Sequence, residues 1–535
     1  MADVLVAGGL VVDGTGALPY VADVLIRGTR IQEIAVRSPG SNSRLAAAPD
    51  AEIRDATGLV VCPGFVDVHT HSDLTLLSSP FAHSKVRQGV TTEVIGNCGL
   101  GVAPLPAGSD VDAIRQAVSY LDLDPSIEWS WTTTGGHLAA LEAARPSLNV
   151  ATLTGHLPLH AVVVGFGAQP ATVPEIDRMR GLLADSFDEG SLGLSTGMVY
   201  APVCYADDDE LIGLAHVVAE RDRVFTWHVR DYADELIPSV KQALLTARRT
   251  GCRTQISHLV AVGKRNWGAV SRVLEMVDVA RADGCAVSVD VYPYLYGNAP
   301  LTQLLPSWAQ AGGPTAMLER LADRAVRDRI RVAWLDRPTG WGDITVSWLP
   351  AGDPAEDFIG RDIAAIARDL AAEGDEVALD LLARLGNAVM IVAGGRSEDD
   401  LRSVLNHPAA VVASDGLALD PDGITGSGSP HPRSYGCFPR YLARYAGSSD
   451  ADLASAIRKC TSAPALLAGL PDRGVLRPGA PADLVVFSRA ALVDTATLTD
   501  PQQFPCGINL VLVNGEPVVD PNGHTGARPG QVVHR

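Results

Sequence analysis

The stretch that most constrains this chain is Val60-Val61-Cys62-Pro63-Gly64-Phe65-Val66-Asp67-Val68-His69-Thr70-His71. Its apolar run, rich in β-branched residues, reads as a buried strand. The run ends in two histidines separated by one residue. At a strand end, residues i and i+2 point to the same side, so both imidazoles can reach one ion. Neutral imidazole suits zinc and similar divalent metals. A bare His-x-His is more often a pair of unrelated surface residues. The metal reading gains weight because several later segments also end in a possible ligand.

Those segments set the rhythm of the middle of the chain, where short apolar strands alternate with longer helical patterns. Eight candidate strands end near His69, Cys98, His156, Thr196, His228, His258, Tyr292 and Asp415. Eight such units predict an α/β fold, a (β/α)8 TIM-like barrel with its site at the carboxyl ends of the strands. The barrel is expected over residues 59–300 and 391–470. The gap between the seventh and eighth strands is too long for a connection, so residues 301–390 read as an inserted subdomain, either a lid or an elaborated loop. Residues 1–58 and 471–535 carry turn-and-strand text. The two ends are expected to pair into one small β-sandwich domain.

Metal-capable side chains sit at the expected strand ends: His69 and His71, Cys98, His228, and His258. A single histidine is more often a hydrogen-bonded structural group, and a lone cysteine a small core residue. Facing a metal, Cys98 would ionise and ligate or bridge. Asp415 follows the last apolar strand. There it could ligate weakly, take a proton from a metal-activated water and pass it to a leaving nitrogen. Taken alone it would be a turn aspartate before Gly416. His156 could polarise a carbonyl or orient a neighbour. Tyr200 and Tyr292 are candidate substrate contacts, or else barrel packing. The Gly/Pro-rich text from Pro421 to Arg433 reads as a rim loop.

Charge narrows the partners. With 62 acidic against 43 basic residues the net charge is −19, which argues against nucleic acid or an anionic membrane as partner. No stretch reads as a membrane span or a signal peptide. The eight cysteines are scattered without a CxxC pair and read as reduced thiols. A cytoplasmic enzyme acting on a small molecule fits these features, with the oligomeric state open.

Longer strings carry a family likeness. Pro63 to Asp73, Gly96-Asn97-Cys98-Gly99, Gly193 to Tyr200, Ile256-Ser257-His258, Asn266-Trp267-Gly268, Asp290 to Tyr294, Ser414-Asp415-Gly416 and His431 to Arg440 resemble the amidohydrolase superfamily. Within it they are most like the N-acyl-D-amino-acid deacylase (D-aminoacylase) branch. The resemblance runs from Gly14 to Asp483. It implies zinc, one or two ions, held by Cys98, His228 and His258, with His69, His71 and Asp415 forming a second site. It further implies hydrolysis of a linear amide by a metal-activated water, with Asp415 as general base and Arg433 among the substrate contacts.

One departure bears on the substrate. Members of that branch usually carry a lysine two residues after the sixth-strand histidine, where it meets the free carboxylate of an N-acyl-D-amino acid. This chain has Val260 there, and Lys264 lies four residues on as a candidate replacement. Tyr232 also stands where relatives commonly carry an acid. A non-standard amide, such as a peptide-like or aminoacylated metabolite, is therefore open. Two competitors remain: a cyclic-amide hydrolase of hydantoinase type, for which the fourth strand lacks the usual lysine, and a non-catalytic barrel serving as a binding protein.

Overall fold

The computed structural model describes residues 3–37, 51–105 and 111–534. Its centre is built from parallel strands. Phe65–Asp67, Val90–Ile95 and Asn149–Thr152 form one parallel sheet. Thr154–Gly155, Gly193–Gly197, Val224–His228, Arg253–Ile256, Val287–Val291 and Ala410–Val412 form a second, paired in that order. Only Leu153 separates Asn149–Thr152 from Thr154–Gly155, so one chain segment serves both sheets. At the other margin Thr70 pairs in parallel with Gly416, and the Asp415 N–H donates to the His69 carbonyl at 2.8 Å. All eight strand ends lie within three residues of the positions expected from the sequence. The strands are buried along almost their whole length, as expected where both faces are covered. Helices such as Val173–Asp188, Asp208–Glu220, Leu236–Thr250 and Ala269–Ala282 connect them.

The two ends of the chain meet in one mixed sheet of nine strands. Leu484–Phe487 lies antiparallel to Val60–Pro63, with Val485 opposite Cys62. Val4–Val11 pairs with Tyr20–Arg27 on one side and with Val60–Pro63 on the other. Val6, Val24, Val61, Leu484 and Leu512 share a separate apolar cluster beneath it. The strand that leads into His69 is thus anchored at its start by the C-terminal segment.

Between the seventh and eighth central strands, Gly297–Pro300, Ile344–Trp348 and Met390–Ala393 form an antiparallel sheet of three strands. Its helices pack on a core of their own that includes Leu301, Leu321, Ile344, Ile366, Leu382 and Ile391. Among the described residues no helix is long and apolar enough to cross a membrane.

Candidate metal centre

The ends of the central strands place six donors together. His69, His71, Cys98 and Asp415 form one buried group, and Cys98, His228 and His258 form another, with Cys98 common to both. His69 Nε2 lies 3.2 Å from Cys98 Sγ and 3.3 Å from Asp415 Oδ1. His71 Nε2 lies 2.9 Å from Asp415 Oδ1. On the other side, Cys98 Sγ is 3.5 Å from His258 Nε2, which is 3.1 Å from His228 Nδ1. Atoms bound about 2.0–2.1 Å from a tetrahedral zinc stand about 3.3 Å apart, and sulfur somewhat further. The 3.3 Å and 3.5 Å separations match that spacing, and the other three, at 2.9 to 3.2 Å, are shorter by a few tenths of an ångström.

The backbone is bent to bring these donors in. Cys98, His258 and Asp415 have φ of 53°, 34° and 52°, in the left-handed region that side chains rarely adopt. Such conformations persist only where surrounding structure holds them, and they collect at functional sites. For Cys98 the support is visible. Asn97 Nδ2 donates to the Val94 carbonyl at 2.9 Å, and the Gly99 N–H donates to Ser195 Oγ at 2.9 Å. A Cβ on Gly197 would stand 2.0 Å from the Cys98 carbonyl oxygen, so the loop rests directly on bare backbone.

Electrostatics favour the binding forms of Cys98, Asp415 and His228. Against the opposing effect of burial, however, Asp290, Cys98 and Asp415 raise His69 well above the ordinary histidine range, and Asp415 and Cys98 raise His71 to about 9, so a metal would displace protons from these two rings. Burial opposes ionisation of the Cys98 thiol, but His69 and His258 hold it well below the usual thiol range. Burial likewise opposes charge on Asp415, yet Arg433 and His69 hold its carboxyl well below the usual carboxylate range. Arg433 Nη1 lies 2.7 Å from Asp415 Oδ2. Burial lowers His228 below the ordinary histidine range, which keeps its ring neutral. The donor set of imidazole, thiolate and carboxylate is the soft-to-borderline mixture that zinc accepts, and the group of three leaves a position open.

Asp290, which the sequence reading did not assign, organises the centre from below. Its oxygens lie 3.2 and 3.3 Å from His69 Nδ1, and Oδ1 accepts the His258 N–H at 2.7 Å. Gln255 Nε2 donates to its other oxygen. A carboxylate behind an imidazole fixes which nitrogen faces the metal and raises its basicity.

A cavity of about 340 Å³ opens over the centre. It is lined by His228, His258, Tyr292 and Asp415, and the segment between the seventh and eighth central strands adds Gly297, Gln303, Ile344 and Ile391. Tyr200, Cys98, His71 and Arg433 line a smaller recess beside it. The Tyr200 ring centre is 5.1 Å from that of His228. The Arg433 guanidinium carbon lies 4.6 Å from the Tyr292 ring centre.

Two sequence-predicted residues are placed elsewhere. His156 does not reach the cavity. Its Nδ1 is 2.9 Å from Thr196 Oγ1 and its Nε2 is 2.7 Å from Glu210 Oε1, so both ring nitrogens are taken by protein. Lys264 is exposed in the turn Lys264–Asn266 and lines an outer depression with Arg265, Pro338 and Thr339 rather than the cavity. Val260 does line the cavity. Tyr232 lines it too, but its hydroxyl is used locally, accepting the Val229 N–H at 3.1 Å and donating to the Ser257 carbonyl at 3.0 Å.

A parallel α/β core whose strand ends gather a shared thiol, four imidazoles and a carboxylate under a closed-over cavity defines a class of enzyme rather than a binding scaffold. The chain belongs to the amidohydrolase family, whose model matches residues 52–351 and 360–519. It is 35% identical over 534 residues to an N-acyl-D-glutamate deacylase of Alcaligenes xylosoxydans xylosoxydans, covering 100% of this chain and 96% of that one. It is 32% identical over 535 residues to a D-aminoacylase of the same organism, covering 100% and 98%. Among solved structures, the N-acyl-D-glutamate deacylase of Bordetella bronchiseptica superposes with a TM-score of 0.83 at 33% identity, with 100% of both chains covered. That enzyme was solved with zinc and a phosphonate inhibitor that mimics the tetrahedral intermediate of its reaction.

Proposed function

We propose that this chain is a zinc-dependent hydrolase of a linear amide, of N-acyl-D-amino-acid deacylase type. The observation that carries the reading is the buried group of four donors and the triad that share Cys98, with His228, His258 and Asp415 lining the cavity and Cys98 and His71 the recess beside it. The two parallel sheets are read as one (β/α)8 barrel over residues 59–300 and 391–470. The terminal strands at 1–58 and 471–535 are read as a β-sandwich unit, and 301–390 as an inserted subdomain closing the cavity. A small-molecule amide in the cytoplasm is the proposed partner.

Cys98, His228 and His258 would hold one zinc ion, and His69, His71 and Asp415 a second. When bound, the metal supplies Lewis acidity, lowering the pKa of a water to about 7 and polarising the amide carbonyl. The chain's own groups do the rest. Asp415 is buried and ionised, with Arg433 and His71 fixing its two oxygens. It accepts a proton from the attacking water as the oxygen bonds to the carbonyl carbon. It then returns that proton to the amide nitrogen as the C–N bond breaks, releasing a carboxylic acid and an amine. Asp290 keeps His69 turned towards the centre. Tyr200 and Tyr292 flank the path of the substrate.

The test is zinc-dependent hydrolysis of a paired panel: N-acetyl-D- and N-acetyl-L-amino acids and the matching carboxamides. Turnover of D-substrates that disappears on chelation and returns with zinc supports the reading. Zinc-loaded protein that hydrolyses no member of the panel overturns it.

A further inference from the structure

The cavity is lined by three arginines, and two of them are spoken for. Arg230 donates to Gln242 Oε1 and the Cys204 carbonyl at 2.8 Å each. Arg337 donates to the Thr339 carbonyl at 2.9 Å and lies 3.3 Å from Asp375 Oδ1. Arg433, in the adjoining recess, is neutralised by Asp415. Arg396 differs: among the described residues it has no ion pair, and its buried Nη1 has no hydrogen-bond partner. Arg396 is half-buried, and an enclosed guanidinium nitrogen without an acceptor beside a cavity is poised for an anion.

Its placement is specific. The guanidinium carbon lies 5.0 Å from the centre of the Tyr292 ring, the same ring that Arg433 covers at 4.6 Å. Tyr292 is therefore a ring shared by Arg396 and the arginine that pairs with Asp415. A Cβ on Gly297 would lie 2.3 Å from Arg396 Nη2, so the absence of a side chain at 297 makes room for the guanidinium. The cavity's acids do not compete for it. Asp234 pairs with Arg265, Asp231 caps the Ala233 N–H, and Asp415 faces Arg433. Val260 presents only methyl groups to the same space.

We propose that Arg396 is the anion anchor of this cavity, taking a free carboxylate on the amino-acid part of the substrate. The inference rests on the deacylase reading above and deepens it. Arginine's planar fork matches a carboxylate in two parallel hydrogen bonds. Such an anchor would hold the amino-acid part near Tyr292 in the same cavity that Asp415 lines, with the acyl-amide group at Asp415.

The test compares wild type, Arg396→Gln and Arg396→Lys, each loaded with zinc, on three substrates. N-acetyl-D-leucine carries only the α-carboxylate, N-acetyl-D-leucinamide carries none, and N-acetyl-D-glutamate α-amide carries only a side-chain carboxylate. Arg396→Gln is expected to lower kcat/KM by roughly a hundredfold on the substrate whose carboxylate is anchored, mainly through KM, and to change the leucinamide by about twofold at most. Arg396→Lys should recover part of the loss. Gly297→Ala should repeat the carboxylate-selective loss by displacing the guanidinium. Loss on N-acetyl-D-leucine assigns the α-carboxylate, and loss on the glutamate α-amide assigns the side-chain group. Zinc content and Tm, measured alongside, should match wild type. An equal loss on acids and leucinamide, or none on either, overturns the anchor while leaving the deacylase reading intact. Wild-type turnover of leucinamide but neither carboxylate substrate also overturns it. If wild type hydrolyses none of the three, the deacylase reading fails and this inference with it.

Discussion

Two buried histidine clusters lie in the core, and they are alike in composition but opposite in chemistry. One gathers His69, His71, Cys98, His228, His258 and Asp415. The other gathers His156, His160 and Glu210, fully enclosed. In the second, His156 Nε2 and His160 Nδ1 each lie 2.7 Å from the same Glu210 oxygen. That is hydrogen-bond distance, well inside the roughly 3.3 Å between nitrogen and oxygen ligands around a tetrahedral zinc. The second cluster also has ordinary backbone, whereas the first holds three donors at positive φ. Burial and residue type do not identify a metal centre. Donor spacing, access to a cavity and a backbone held in unfavourable conformations do.

The largest effect that would sharpen this contrast is expected at Asp415. Asp415→Asn should cut kcat by about 10³-fold or more, the scale of losing a general acid–base group, as read by steady-state hydrolysis of the best panel substrate. Activity within tenfold of wild type would remove Asp415 from its role.

Next is Glu210. Burial pushes its carboxyl up, but the hydrogen bonds from His156 and His160 more than reverse this and bring it to about 2. A carboxyl with a depressed folded pKa adds stability that is complete above its ordinary value and is lost as pH falls towards the folded value. Glu210→Gln should therefore destabilise the fold by about 3 kcal/mol at neutral pH. The gap from wild type should close as pH falls from about 4.5 to about 2. Zinc content should stay unchanged. Denaturant titration at several pH values and metal analysis check both halves, and loss of zinc in this variant would erase the contrast.

Asp290 ranks third. Asp290→Asn should weaken zinc affinity about 10- to 100-fold, as loss of a carboxylate behind a ligand histidine does, measured by competition with a chelator. The smallest effect is expected from Lys264→Ala. Its exposed side chain lies outside the cavity, so stability should move by less than about 0.5 kcal/mol and kcat/KM should stay at the wild-type value.

Strand rhythm and strand-end donors were readable because they are local patterns. An apolar run ending in His, Cys or Asp announces both a strand and what stands at its tip. What escaped notice depends on long-range placement. Asp290 sits inside a quoted string, yet its role comes from touching His69, 221 residues away. Arg396 follows a strand of the insert and meets the site only because that insert folds back over it. Lys264 was attractive by proximity in sequence, but the turn it occupies points outward. His156 stood at a strand end like the ligands. The warning sign was His160 one helical turn on, which turns the pair towards a shared partner.

The claim that the two donor groups share Cys98 is tested most directly by X-ray absorption at the zinc edge of reconstituted protein. A sulfur scatterer at about 2.3 Å, together with nitrogen and oxygen at about 2.0 Å, is predicted for wild type, with the sulfur shell gone in Cys98→Ser. A zinc environment of nitrogen and oxygen alone in wild type, or a sulfur shell that survives the substitution, would contradict it.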